Sequence, residues 1–244
     1  MQKVAAIIPS RFGSTRFPGK PLAPIAGTPM IQRVYQRVQQ ARCVTHIAVA
    51  TDSQAIFDAV TAFGGNALMT SDQCRSGSDR AAEAAGHLDL DSDDVIINIQ
   101  GDQPLIAPET IDETTAPLLD DIDVEMTTAA FAIVNLQEIT NPKDVKVVFD
   151  EKGMALYFSR SPIPQARDAG TLFTTYKHLG IYAYTKRFLD LFTHLPYGRL
   201  EDIEKLEQLR ALEHGHGIKV VVTPHDSPEV DLPEDIARIE KTMA

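Results

Sequence analysis

Val4-Ala-Ala-Ile-Ile-Pro-Ser-Arg-Phe-Gly-Ser-Thr-Arg-Phe-Pro-Gly-Lys20 joins an unbroken apolar run to a loop rich in glycine and cations. Val4–Pro9 reads as a strand buried on both faces, the pattern of a parallel sheet. Gly13 and Gly19 allow backbone N–H groups to approach an anion closely, and Arg11, Arg16 and Lys20 add positive charge. Arginine suits forked phosphate contacts and lysine a point contact. The spacing is neither a P-loop nor Gly-x-Gly-x-x-Gly. The loop, including Pro9 and Ser10 at its base, is therefore a candidate triphosphate cradle of a different kind, or else a charged structural loop.

Working outward, the first half alternates strands and helices. Helical spacing covers Pro29–Ala41, Gln54–Phe63 and Ser78–His87; strands are expected at His46–Thr51, Ala67–Thr70 and Val95–Ile99. Alternating elements imply βαβ units, hence an α/β fold whose mostly parallel sheet is flanked by helices and binds ligands at its strands' carboxyl ends. The pattern changes near residue 124. Val145–Phe149 and Met154–Phe158 read as a hairpin around Asp150–Gly153. In His178–Thr185, Leu179, Ile181 and Ala183 alternate with His178, Gly180, Tyr182 and Tyr184. A helix over Leu200–Glu213, a strand over Ile218–Val222 and a helix over Pro233–Met243 complete the reading. The whole is expected to be one domain, with a smaller β-rich lobe at about residues 124–185.

The chain has 244 residues, 43% hydrophobic and 23% charged, with net charge −11. The acidity argues against general nucleic-acid binding. Residues 1–51 nevertheless contain no Asp or Glu, while all 34 acids lie from Asp52 onward. Such asymmetry can focus a positive site for a small polyanion; chance clustering on a solvated helix accounts for Arg33, Arg37 and Arg42. Two cysteines, Cys43 and Cys74, give no disulfide framework, and no apolar run approaches the ~18 residues of a membrane span. The expectation is a cytoplasmic protein without membrane insertion.

Asp102 follows the strand Val95–Ile99, where a carboxylate can hold a divalent cation against phosphate oxygens; it can equally be a turn aspartate. Asp231 is a second candidate, but Asp231-Leu-Pro-Glu234 also reads as a helix N-cap. Ser76-Gly77-Ser78 opens a helix, and a cap there is as natural as a nucleotide contact. The helix at 200–213 places Asp202, Glu207 and Arg210 among leucines, where they need either one another or a polyhydroxylated ligand. His178 and Tyr182 share a strand face; a hydrogen-bonded structural histidine is the plainer reading.

The stretch Ile8–Leu22 resembles the opening motif of the 3-deoxy-manno-octulosonate cytidylyltransferase family, also called CMP-Kdo synthetases. The likeness continues at Ala50-Thr-Asp52, Ser76-Gly-Ser-Asp-Arg80, Asn98-Ile-Gln-Gly-Asp-Gln-Pro104, Ala155–Arg160, His178-Leu-Gly-Ile-Tyr182, Leu206-Glu-Gln-Leu-Arg210 and Val230–Asp235. The resemblance implies a nucleotide-diphospho-sugar transferase fold, CTP and a Kdo-type sugar acid as substrates, Mg2+ on Asp102 and Asp231, and a homodimer formed through the smaller lobe. It places Pro9, Ser10, Arg11, Arg16, Lys20, Ser76, Gly77 and Arg80 on the nucleotide. Gln100, Arg160, His178, Tyr182 and Glu207 fall on the sugar, and Lys20, Asp102 and Asp231 in catalysis. Two blocks depart from the common pattern. Arg199–Lys205, with Asp202 where histidine is usual, and Asp226–Asp231 look like the branch acting on 8-amino-8-deoxy-Kdo. Asp202 is therefore expected to tilt preference toward the amino sugar by pairing with its ammonium, or to be only a surface or helix-start charge. The competing readings are a CMP-sialic acid synthetase, a sugar-1-phosphate nucleotidyltransferase and a non-catalytic nucleotide-binding module.

Overall fold

The computed structural model describes residues 2–13 and 16–243, so Met1, Ala244 and the loop residues Ser14 and Thr15 lie outside it. Strand β1 (Val4–Ser10) lies in the interior of the sheet, paired along both edges. Ala5 and Ile7 point to one face, and Val4, Ala6 and Ile8 to the other. A strand apolar on both sides must be covered on both sides, and helices do this here.

In chain order the remaining elements are β2 (Pro24–Ile25), β3 (Thr28–Pro29), α1 (Met30–Val38), β4 (His46–Thr51), α2 (Gln54–Ala62), β5 (Ala67–Met69), α3 (Gly77–Gly86), β6 (Val95–Asn98), α4 (Pro108–Asp120) and β7 (Met126–Ala132). They continue with α5 (Gln137–Thr140), β8 (Lys146–Phe149), β9 (Ala155–Ser159), β10 (Tyr176–Thr185), α6 (Lys186–His194), α7 (Arg199–Glu204), α8 (Leu209–Glu213), β11 (Lys219–Thr223) and α9 (Asp235–Met243). The sheet order is β11-β7-β10-β6-β1-β4-β5. The pairs β6-β1, β1-β4, β4-β5 and β7-β11 are parallel; β10 runs antiparallel between β6 and β7. The hairpin β8-β9 attaches to the start of β10. Helices α3 and α6 cover one face, and α1, α2 and α4 the other. The mostly parallel α/β sheet expected from sequence is thus present.

Two differences concern the site. The helix expected over Leu200–Glu213 is broken: Lys205 adopts φ 53°, ψ 48° and ends α7. The break lets Leu206 and Leu209 enter the core while Ile203 stays 69% exposed, so the apolar arc is not covered all round. It also frees Glu207 from a helix surface. In β10, a register shift between His178 and Tyr182, with Gly180 at φ 67°, interrupts the ladder.

Candidate active site

The loop after β1 closes on itself, with the Gly19 amide donating to the Phe12 carbonyl at 3.0 Å. Gly19 takes φ 72°, a left-handed value that costs glycine little, and a short 3-10 turn over Lys20–Leu22 follows. Lys20 is thereby delivered to the carboxyl edge of the sheet. Its Nζ donates to Asp102 Oδ2 at 2.6 Å and to the Val230 carbonyl at 2.9 Å. Arg16 donates to Asp231 Oδ2 at 3.1 Å. Both expected carboxylates therefore stand beside both expected cations. Gly101 permits this approach, since a Cβ there would lie 2.7 Å from Ser10 Oγ and 3.2 Å from the Pro9 carbonyl.

These groups line a cavity of about 240 Å3 that includes Pro9, Ser10, Arg11, Arg16, Lys20, Ser76, Gly77 and Arg80, all eight expected nucleotide residues. Two of them also have structural duties. Ser76 caps α3, accepting from the Asp79 amide at 3.1 Å, so the cap reading holds for it. The Arg80 guanidinium is buried and engaged by Asp52 Oδ2 at 2.7 Å and Thr70 Oγ1 at 2.6 Å, and it braces the wall. The N-cap reading of Asp231 falls. Asp235 Oδ2 accepts from the amides of Asp231 and Leu232, both at 2.9 Å, leaving the Asp231 side chain to Arg16.

A second cavity, of about 790 Å3, shares Arg16, Gln100, Asp102 and Asp231 with the first. Arg160, His178, Tyr182 and Glu207 line it as expected. The Arg160 guanidinium donates to the carbonyls of Glu204 (2.6 Å) and Pro142 (2.9 Å) and, at 3.4 Å, to that of Lys205. Those bonds use three of its five N–H groups and leave two for a ligand. The Thr128 hydroxyl donates its one proton to the Ile181 carbonyl at 2.7 Å. It must therefore accept from His178 Nε2 at 2.8 Å, which fixes the Nε2–H tautomer and leaves Nδ1 as acceptor. Burial pushes the His178 pKa down to about 3, so the ring is neutral and serves as a hydrogen-bonding group. Tyr182 is buried beside it, its phenol pushed well above the usual range by desolvation.

Glu207 does not pair with Arg210. Arg210 forks onto Glu201, at 2.8 and 2.5 Å, in a fully buried ion pair. Glu207 Oε1 instead accepts from Ser78 at 2.7 Å, and burial raises its pKa while hydrogen bonds from Ser78 and Ser76 oppose the rise. This links the nucleotide-side helix α3 to the second cavity. Asp202 is not brought to the site: it is 62% exposed, bonded to Lys205 at 2.5 Å and absent from the cavity wall. An exposed pair on the first turn of α7 is the helix-start charge of the plainer reading.

Two groups in the second cavity escaped the sequence reading. Lys177 is buried between Glu138 (2.9 Å) and Asp226 (3.0 Å), which together hold its pKa up against burial. Glu229 keeps solvent-exposed surface on the cavity wall and accepts from Gln103 Nε2 at 3.3 Å; desolvation and the nearby charges of Asp102 and Asp231 push its pKa up. The only advance hint of Glu229 was the unusual block Asp226–Asp231.

Among the described residues, no three His, Cys, Asp or Glu side chains gather closely enough to cage an ion. Asp102 and Asp231 are hard oxygen donors facing both cavities. Such a site suits Mg2+, which takes one or two carboxylates and completes its shell with phosphate and water.

A family model described as cytidylyltransferase matches residues 5–222. A 3-deoxy-manno-octulosonate cytidylyltransferase of Desulfosudis oleivorans is 74% identical over 242 residues, covering 99% of this chain and 98% of that one. The chain belongs to the 3-deoxy-manno-octulosonate cytidylyltransferase family. Within that family, an 8-amino-3,8-dideoxy-manno-octulosonate cytidylyltransferase of Shewanella frigidimarina is 54% identical, with 99% of each chain covered. A solved CMP:2-keto-3-deoxy-manno-octonic acid synthetase complexed with CTP superposes with a TM-score of 0.93 at 40% identity, covering 99% of this chain and 98% of that one. The cytidylyltransferase fold and class expected from the motifs are therefore those of this chain. No helix among the described residues is long and apolar enough to cross a membrane.

Proposed function

We propose that the chain transfers CMP from CTP to the anomeric hydroxyl of 3-deoxy-manno-octulosonate or its 8-amino analogue, releasing pyrophosphate, and so supplies an activated sugar for lipopolysaccharide assembly. One observation carries this: two cavities of different chemistry meet at Asp102 and Asp231. The smaller, cationic one takes the triphosphate, and the larger, lined by Arg160, His178 and Tyr182, takes the sugar acid. Relatives named for each of the two sugars support the choice of acceptor.

In this reading Arg16 and Lys20 leave their carboxylate partners in part to neutralise phosphate oxygens. Asp102 and Asp231 would hold Mg2+, which when bound polarises phosphate oxygens and compensates developing charge. Arg160 offers its two unused N–H groups to the acceptor's carboxylate, and His178 Nδ1 accepts from a sugar hydroxyl. The anomeric hydroxyl oxygen forms a bond to the α-phosphorus as its proton passes to solvent, the bond to the bridging oxygen breaks, and pyrophosphate leaves with the electron pair. Positioning and fixed charge carry the rate. The protein is proposed to act in the cytoplasm as a homodimer. Leu156, Leu172 and Phe173, which are exposed in and beside the hairpin region, support a contact there.

The test is pyrophosphate release from CTP and Mg2+ with Kdo, 8-amino-Kdo and N-acetylneuraminate in parallel. Release with either octulosonate is expected. Release with N-acetylneuraminate alone would reassign the acceptor, and CTP binding with no release under any acid would make the chain a binding module.

A further inference from the structure

Of the two groups in the acceptor cavity that the motifs did not announce, Lys177 is the one the fold buries. A buried ammonium must give up its water, and it stays in place only where carboxylates face it. Two do. Nζ stands 2.9 Å from Glu138 Oε2 and 3.0 Å from Asp226 Oδ1, and 5.8 Å from the centre of the Phe131 ring. The three charged groups come from separate parts of the chain: β10, α5 and the loop between β11 and α9.

All three line the acceptor cavity, so the clamp joins two of its walls. One wall is the segment around α5, which also contributes Asn135, Gln137 and Asn141. The other is the loop after β11. Backbone pairing fixes that loop only at its ends: β11 pairs with β7 as far as Thr223, and the Val230 amide donates to the Asp102 carbonyl at 3.0 Å. Among the described residues, no backbone–backbone hydrogen bond involves residues 224–229. Side chains hold the stretch instead. Gln103 reaches the Glu229 carboxylate at 3.3 Å, the exposed Arg238 reaches the Glu229 carbonyl at 2.9 Å, and Lys177 makes the ion pair. Lys177, Glu138 and Asp226 are all absent from the nucleotide cavity. Asp231 is held separately, its amide on Asp235 and its carboxylate on Arg16.

We propose that Lys177 is a positioning residue for the acceptor, acting through Glu138 and Asp226 to fix the spacing of the two walls between which the sugar acid lies. This rests on the acceptor assignment above. Both carboxylates touch the same nitrogen, so without it like charges face each other and the walls part. Walls fixed before binding spare the acceptor the cost of ordering them.

The test measures KM for the octulosonate, KM for CTP, kcat and Tm in the wild type, Lys177→Met and Lys177→Arg. Lys177→Met should raise KM for the octulosonate about tenfold to a hundredfold, with KM for CTP changed less than about twofold. Lys177→Arg keeps the charge and should recover most of the loss. A folded Lys177→Met enzyme with an unchanged octulosonate KM overturns the inference, and so does an equal rise in both KM values, which marks a general loosening. Should Lys177→Met fail to fold, the triple variant Lys177→Met, Glu138→Gln, Asp226→Asn removes the stranded charges as well as the clamp. A raised octulosonate KM there supports the inference and a normal one overturns it. Wild-type activity with either octulosonate secures the acceptor assignment whatever the variants do; silence with both removes the assignment and the inference together.

Discussion

The nucleotide wall and the acceptor wall meet at two aspartates but are built differently. The first comes from consecutive βαβ units, with its loop cations reaching across to Asp102 and Asp231; Arg16 there is 61% exposed. The second gathers side chains from the loop after β6, from β10, the end of the hairpin, the break between α7 and α8, and the loop before α9, and buries Lys177, Tyr182, Leu206 and Gln208 among them. A triphosphate carries enough charge to be held by solvated cations and backbone amides. Discriminating one polyhydroxylated acid from another needs desolvated groups whose partners are fixed beforehand.

The strongest way to break this contrast is at the junction, where both walls depend on the same residue. Asp102→Asn should lower kcat for pyrophosphate release by about 10³-fold, with thermal unfolding little changed. Near-normal turnover would remove Asp102 from the mechanism. Next comes the support under the acceptor wall. Arg210→Met leaves Glu201 buried and unpaired, which should cost about 3–5 kcal/mol and lower Tm by about 10 °C. An unchanged melting curve would show that the buried pair carries no stability.

A smaller effect separates the walls by pH. His178 is held near a pKa of about 3 by burial, against about 6.5 in an unfolded chain. Above pH 6.5 both states are neutral and the group contributes nothing. As pH falls below 6.5 the unfolded chain takes up a proton that the native state refuses. Stability is then lost at up to about 1.4 kcal/mol per pH unit until pH nears 3. His178→Gln should flatten that part of a denaturant-midpoint profile; an unaltered slope would place the loss elsewhere. Smallest of all, Asp202→His should leave the sugar ratio unchanged and stability within about 0.5 kcal/mol. A shifted ratio would return Asp202 to the acceptor site.

Much of the nucleotide wall was legible because its signals are local. An apolar run, glycines and clustered cations in one segment fix a strand, a loop and a charge without reference to distant chain. Strand β7 was missed for the opposite reason. Its Thr127 and Thr128 are fully buried, yet their hydroxyls are satisfied by the carbonyls of Thr114 and Ile181, so polarity along the chain conceals burial. The α7–α8 break was hidden because leucines recurring every third residue read as one helix, whereas the pull of Glu207 toward Ser78 spans 129 positions. Separation along the chain also concealed the Lys177 clamp, whose carboxylates, Glu138 and Asp226, lie 39 and 49 positions away.

The sequence by itself determined an interior strand of the sheet, the cationic loop, the family and a core set of residues that face one or other cavity, from Arg16, Lys20 and Asp102 to Arg160, His178 and Glu207. The tertiary structure decided between roles that one residue type can fill. It set the Asp235 carboxylate on the amides of Asp231 and Leu232 and left the Asp231 side chain to Arg16; it paired Arg210 with Glu201 and freed Glu207; it put Asp202 in solvent away from the cavity and Glu229 on the cavity wall. Periodicity and turn chemistry act over a few residues and can be read in order. Charge pairing and desolvation depend on which distant groups the fold brings within about 4 Å, and no local pattern carries that information.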